Sequence, residues 1–349
     1  MFCVFKDIEI VGISSCVPKN VVVNNEENLK MTSEEIGKLV DSIGIKERRF
    51  AGKDVTALDL CYKAAYNLLD FMQFDKDSID AVVFMTQTPD YLIPANSPII
   101  QDKLGLRKDI ISFDIGLACS GYVYSLFVVY SLLQNSSINN VLLLDGETFS
   151  KHINPLDKVN YPLYGDAGTA TLVSRKATME NSYFSLYTDG SGYKSVIIES
   201  GAYRNPITVS GLTEIKRNDG NYGRLNDIYM DAIEVFNFTM REIPKSIKSI
   251  LQNSGLTIDN IDLYILHQAN KFMTDFIAKK LKIPPEKMLY SIGKYGNTSS
   301  ASIPLTISEN CDKFKENNRI LISGFGGGLS WANAILNFED IVILSPVDY

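Results

Sequence analysis

Histidine is scarce in this 349-residue chain. Only His152 and His267 occur, and there is a single tryptophan. No CxxC, no HExxH and no paired histidines appear, so the spacings that hold a metal are missing. The five cysteines (Cys3, Cys16, Cys61, Cys119, Cys311) are an odd number in a chain too long for a disulfide scaffold, and they read as free thiols in a reducing compartment. Positive charge is not in surplus either: 34 Lys and Arg stand against 41 Asp and Glu, for a net charge of −7. That balance argues against nucleic acid as the main partner. No run approaches the ~18 apolar residues of a membrane span. The opening MFCVFKDIEIVGISS has the pattern of a strand, not of a signal peptide. The expected location is the cytoplasm.

The composition is 45% hydrophobic and 21% charged, which supports a sizeable core and two domains or one duplicated unit. Residues 8–13 look like a first strand, and 55–71 carries apolar residues at helical spacing. The runs 79–85 and 141–144 read as strands covered on both faces, and 120–134 as a buried helix. The second half repeats this order. DSIDAVVFMTQTPD (77–90) matches DNIDLYILHQAN (259–270), and SINNVLLLDG (137–146) lies over KENNRILISG (315–324) without a gap. A module used twice follows, with halves at 1–176 and 177–349. In the second half a helix is expected over 242–253, starting or kinking at Pro244. The stretch 203–226 reads as a surface excursion. Alternating strands and helices make the fold class mixed α/β.

The chemistry centres on DIGLACSGYVYSL (114–126). If a helix begins near Ser120, Cys119 sits at its positive end, where free N–H groups and the macrodipole favour a thiolate. A structural thiol is the alternative, and Cys61, on an apolar helical face, is read that way. His267 ends the buried run LYIL and opens HQAN, at the strand end where α/β sites gather. Asn297, in KYGNTSSAS, is either a helix cap or a neutral donor to an oxyanion. Under the repeat it occupies the position of Cys119. The glycines of SGFGGGLSW (323–331) follow another strand and mark a close approach, without the spacing of a phosphate loop. Asp145, Glu147 and Asp166 read as caps or ion-pair partners.

These motifs, with GIKERR (44–49) and YGDAGTATL (164–172), resemble the β-ketoacyl-acyl-carrier-protein synthase III family of thiolase-fold condensing enzymes. The resemblance runs along nearly the whole chain. It implies a duplicated αβαβα five-layer fold, a homodimer, no cofactor, and a Cys119–His267–Asn297 site. The backbone N–H groups of Cys119 and Gly327 would form the oxyanion hole, and Phe325 would pack behind. The substrates implied are acyl thioesters on coenzyme A or on an acyl carrier protein. Several positions depart from the family. Ile36 stands where a tryptophan often stacks on adenine, and Lys158 where an arginine does. Asn237 and Phe272 replace two bases that dock the carrier, leaving Lys279, Lys280, Arg241 and Lys245 for that surface. Ile93 stands where a partner-subunit side chain often closes the acyl pocket. The readings kept open are acyl transfer to an oxygen or nitrogen acceptor and a non-catalytic scaffold. A thiolase would want a second cysteine near the C-terminus, and a hydroxymethylglutaryl-type synthase a glutamate base.

Overall fold

Short apolar runs bounded by turn residues leave a strand no polar face, so both sides must be covered. The computed structural model describes residues 1–217, 220–315 and 318–349 and meets this need with two stacked sheets. Glu316 and Asn317 of the repeat, and Asn218 and Asp219 of the 203–226 excursion, lie outside the described residues. The strands of the large sheets are β1 (Phe2–Phe5), β2 (Ile8–Val17), β3 (Ala81–Met85), β4 (Ile111–Ile115), β5 (Asn140–Glu147) and β6 (Ala167–Arg175), followed by β7 (Ser182–Thr188), β8 (Leu263–Leu266), β9 (Arg319–Gly326), β10 (Ser330–Asn337), β11 (Val342–Ile343) and β12 (Val347–Asp348).

One sheet has the order β11-β2-β6-β5-β3-β4, with β12 also on β2. The other has the order β1-β7-β10-β9-β8. Within them, β2-β6-β5-β3 and β7-β10-β9-β8 are the same arrangement: two antiparallel pairings, then a parallel one. The chain ends are exchanged between sheets. β1 pairs with β7 in the second half, and β11 and β12 return to β2 in the first.

Five helices give the layers: α1 (Ala57–Phe71), α2 (Gly121–Leu132), α3 (Ala232–Ser254), α4 (Lys271–Leu281) and α5 (Ser302–Glu309). α2 and α5 lie between the sheets, where Tyr122, Leu126, Val129 and Ile303 pack against both. α1 covers the outside of the first sheet, and α3 and α4 the outside of the second. This is the αβαβα order. A helix between two sheets buries most of its circumference, which fits the apolar composition of α2. Each fully buried aliphatic side chain there contributes about 1.5–3 kcal/mol.

One expectation is corrected. The helix expected over 242–253, starting or kinking at Pro244, begins at Ala232, where the Asp231 carboxylate accepts from the N–H groups of Ile233 and Glu234. Pro244 lies inside it. Proline has no N–H for the carbonyl four residues back, and that carbonyl, on Met240, accepts instead from Nζ of Lys280 at 3.0 Å.

Candidate active site

Cys119 lies in the turn between β4 and α2, one residue ahead of the Ser120 cap. The glycine run explains its slot. A Cβ on Gly326 would lie 2.9 Å from the Cys119 Cβ and 3.1 Å from its Sγ, and one on Gly324 would lie 3.0 Å from the Ser120 Cα. Any side chain at 326 would have to displace the sulfur. The group whose close approach the glycines permit is thus the cysteine itself.

The Asn297 turn faces this slot from the second half. The Cys119 Sγ is 3.6 Å from the Ser299 hydroxyl. Ser299 has a left-handed backbone (φ 54), a costly state for a non-glycine residue that tertiary contacts must hold. Its N–H donates to the Asn297 carboxamide oxygen at 2.8 Å, which leaves the amide N–H₂ as the donating end. Asn297 is pinned through its backbone to Leu163 and Gly165. Its side chain closes a two-residue turn, so the helix-cap reading is corrected; Thr298 and Ala301 hold the cap positions that follow.

His267 follows β8, with its N–H donating to the Ser323 carbonyl at 2.8 Å. Its Nδ1 is 2.8 Å from the Ser302 hydroxyl. Phe325 stands edge-on at 5.5 Å between centroids. Burial drives the imidazole down to about 3, against a hydrogen bond to the Ser299 backbone that raises it. The ring is therefore neutral across the working pH range.

The thiol behaves differently from the sequence expectation. Cys119 keeps an opening to the cavity, yet its sulfur is enclosed by protein. Burial pushes it from 9.0 up to about 12; the Ser299 hydrogen bond pulls down, and the Glu147 and Asp145 carboxyls push up. That rise corresponds to roughly 4 kcal/mol, more than the ~2 kcal/mol a helix end can return. Enclosure therefore opposes the thiolate that the helix end favours.

Cys119, His267, Asn297, Phe325 and Gly327 line one cavity of about 50 Å³. It opens through Met230, Val235 and Met273 into an outer mouth of about 470 Å³, which Lys158, Phe236 and Phe272 also line. It shares Phe149, Val196 and Ile228 with a further, largely apolar cleft of about 330 Å³. A larger polar cleft of about 860 Å³ borders α3 and holds Asn237 and Arg241, but none of the three central side chains.

The outlying positions are placed as follows. Ile93 is 82% exposed and does not line the cavity. Ile36 is buried in the helix Ser33–Ile43. Arg241 and Lys245 both pair with Glu242. Lys279 and Lys280 end α4. Phe272 is exposed and stacks on Phe236. His152 accepts a packing role, its Nδ1 3.2 Å from the Asn226 carbonyl, and Cys61 is fully buried. Asp166 accepts from Ala51 and Ser150 and is structural.

The residues the sequence reading missed are Ser299 and Ser302. Both stood in GNTSSAS; nothing local shows that Ser299 meets the Cys119 sulfur of the first half or that Ser302 meets the His267 ring 35 residues back.

Two family profiles match the chain. The one described as 3-oxoacyl-acyl-carrier-protein synthase III covers residues 113–190, and that of its C-terminal part covers 251–338. A beta-ketoacyl-acyl-carrier-protein synthase III of Rhodopirellula baltica is 32% identical over 354 residues, covering 95% of this chain and 99% of that one. One from Clostridium perfringens is 33% identical over 335 residues, with the same coverage. The crystal structure of a 3-oxoacyl-acyl-carrier-protein synthase from Burkholderia xenovorans LB400 superposes with a TM-score of 0.93 at 36% identity, covering 100% of this chain and 99% of that one.

Proposed function

The chain belongs to the 3-oxoacyl-acyl-carrier-protein synthase III family, and on that premise we propose that it loads an acyl group onto Cys119 and condenses it with a malonyl-type thioester. The observation that carries this reading is one cavity lined by Cys119, His267 and Asn297, drawn from both halves. We take those halves as 1–176 and 177–349.

The Cys119 sulfur attacks the thioester carbonyl, and its proton leaves with the departing thiol. Backbone N–H groups of Cys119 and Gly327 hold the tetrahedral oxyanion. A malonyl thioester then binds. Its carboxylate leaves as carbon dioxide, and the electron pair moves to an enolate oxygen. His267 and Asn297 donate to that oxygen. Ser302 holds Nδ1, and the tautomer this step calls for takes the Ser302 hydrogen there and carries its own on the other ring nitrogen. The carbanion attacks the acyl carbonyl, and the Cys119 thiolate departs and is reprotonated. Loss of carbon dioxide generates the nucleophile, so a weakly basic imidazole suffices. The chemistry draws on no cofactor.

The donor we favour is an acyl carrier protein in the cytoplasm. Lys158 is the one cation lining the outer mouth among the described residues, and Ile36 is turned inward, which gives the nucleotide end of coenzyme A little to hold. Lys279 is left as a carrier contact, since Arg241, Lys245 and Lys280 have partners within the chain. The working unit is a homodimer: exposed Ile93 and the open edge of β4 await a second subunit.

Intact-mass spectrometry with acyl-carrier and acyl-coenzyme A donors tests the first step. The wild type gains the acyl mass and Cys119→Ala gains none; an adduct that survives the substitution overturns the reading. Labelled carbon dioxide released from malonyl thioester tests the second. Adduct without release would point to an oxygen or nitrogen acceptor.

A further inference from the structure

Two carboxyls behind the thiol have no part in the chemistry above. Asp145 and Glu147 end β5, two residues apart and so on one face of the strand, and neither has exposed surface. Among the described residues no Lys, Arg or His forms an ion pair with either. Two uncompensated carboxylates this deep would be costly, so at most one carries charge.

Their partners are the two turns that flank Cys119. Asp145 Oδ1 accepts from the Ser300 hydroxyl at 2.6 Å, beside Ser299 and Asn297, while its Oδ2 is buried without a partner. Glu147 accepts from the Gln87 N–H at 2.9 Å and from the Thr88 hydroxyl at 2.8 Å. Gln87 lines both the Cys119 cavity and the apolar cleft beyond it. We propose that Asp145 and Glu147 are paired positioning residues: each ties down, from behind the sulfur, one of the two turns that face it. This rests on Cys119 being the reacting thiol.

The titratable groups facing the pair are Cys61 on α1, Cys119, and Tyr122 on α2, none of them a cation. Burial raises Asp145 to about 8 and Glu147 well above the carboxylate range, with Asp145 adding to the latter. Above about pH 8, therefore, negative charge appears beneath the sulfur and opposes its ionisation. The effect on the thiol is measurable apart from activity.

The test uses the full-length protein and two readouts: the rate of Cys119 acylation, and the rate of its alkylation by iodoacetamide from pH 6 to 10. Glu147→Ala should acylate at least about tenfold more slowly, while Glu147→Gln, which keeps an acceptor for Gln87, recovers most of the rate. Thr88→Val replaces Glu147→Ala if the latter does not fold. Asp145→Asn should track wild type below pH 8 and alkylate about tenfold faster near pH 9.5, one pKa unit. The wild-type alkylation profile should flatten near pH 8, as coupled groups do. Acylation at the wild-type rate in Glu147→Ala or Thr88→Val would remove the loop role. A wild-type profile that fits a single ionisation would remove the coupling between acids and thiol, whether or not the variants fold. The adduct on Cys119 tests the underlying reading separately, since any acylation at all preserves it.

Discussion

The Cys119 corner and the Asn297 corner are the same piece of architecture, a loop leading into a central helix, built twice. They differ in what surrounds them. α2 is a twelve-residue helix, apolar all round, and no side chain of it bonds to the thiol among the described residues. The Asn297 side is dense with hydroxyls and delivers Ser299 to the sulfur, Ser302 to the imidazole and Ser300 to Asp145. Duplication placed the corners face to face. Divergence made one of them a desolvated nucleophile and the other a set of oriented neutral donors.

The largest effect should come from removing a donor. Asn297→Ala is expected to lower condensation by 10²–10³-fold, the usual loss for one oxyanion donor, while acyl-Cys119 still accumulates. Separate acylation and carbon dioxide assays check this. If acylation fell in parallel, the two corners would not divide the labour.

Next is Gly326→Ala, which attacks the other corner. The added Cβ would sit 3.1 Å from the sulfur. An ångström of displacement costs on the order of 10²-fold, and here acylation itself should fall. The contrast with Asn297→Ala is the point: one variant blocks loading, and the other loads but does not condense.

Much of this was legible beforehand, and the reason is physical. Buried strands and a buried helix write continuous apolar runs, so β3, β5, β8, β9 and α2 announced themselves, and their recurrence gave the duplication. Cys119, His267 and Asn297 stand at strand or helix ends, where chemistry gathers. What local pattern could not give is anything decided by desolvation or by distant partners. A helix-end cysteine suggests a thiolate, but enclosure outweighs the helix field. Ser299 looks like a cap until the first half is folded against it, and Ser302 is an ordinary helix residue until His267 packs beside it. Exchange of β1, β11 and β12 between the sheets also leaves no local trace, because a short strand reads alike in either sheet.

A smaller effect separates the corners by pH. The His267 pKa is depressed, to about 3, so the unfolded chain takes up this proton first as pH falls below 6.5. Its contribution to stability should decline by about 1.4 kcal/mol per pH unit from 6.5 towards 3. Asp145 and Asp166 are raised, to about 8 and about 6, and act in the opposite sense, losing stabilisation as pH rises from 4 through those values. Denaturant midpoints for wild type and His267→Asn, compared between pH 4 and 7, isolate the histidine: the gap between them should narrow as pH falls. A constant gap would mean that the ring is charged, or solvated, in the folded protein.

The mildest test reaches the outer layers, where the halves differ again. α1 has fifteen residues and no proline, whereas its counterpart α3 has twenty-three with Pro244 buried inside. Proline mid-helix ordinarily costs about 3 kcal/mol or more, partly through the orphaned carbonyl. Here Met240 is 8% exposed and its carbonyl has Lys280. Lys280→Met keeps the aliphatic stem packed along the helices and removes only the donor, so it should destabilise by about 1 kcal/mol. Pairing it with Pro244→Ala settles the assignment. Restoring the N–H gives Met240 a partner within the helix, so Lys280→Met should then cost nothing. If the two losses simply add, Lys280 stabilises α3 by some other route, and its ammonium is free for the carrier surface that Lys279 shares.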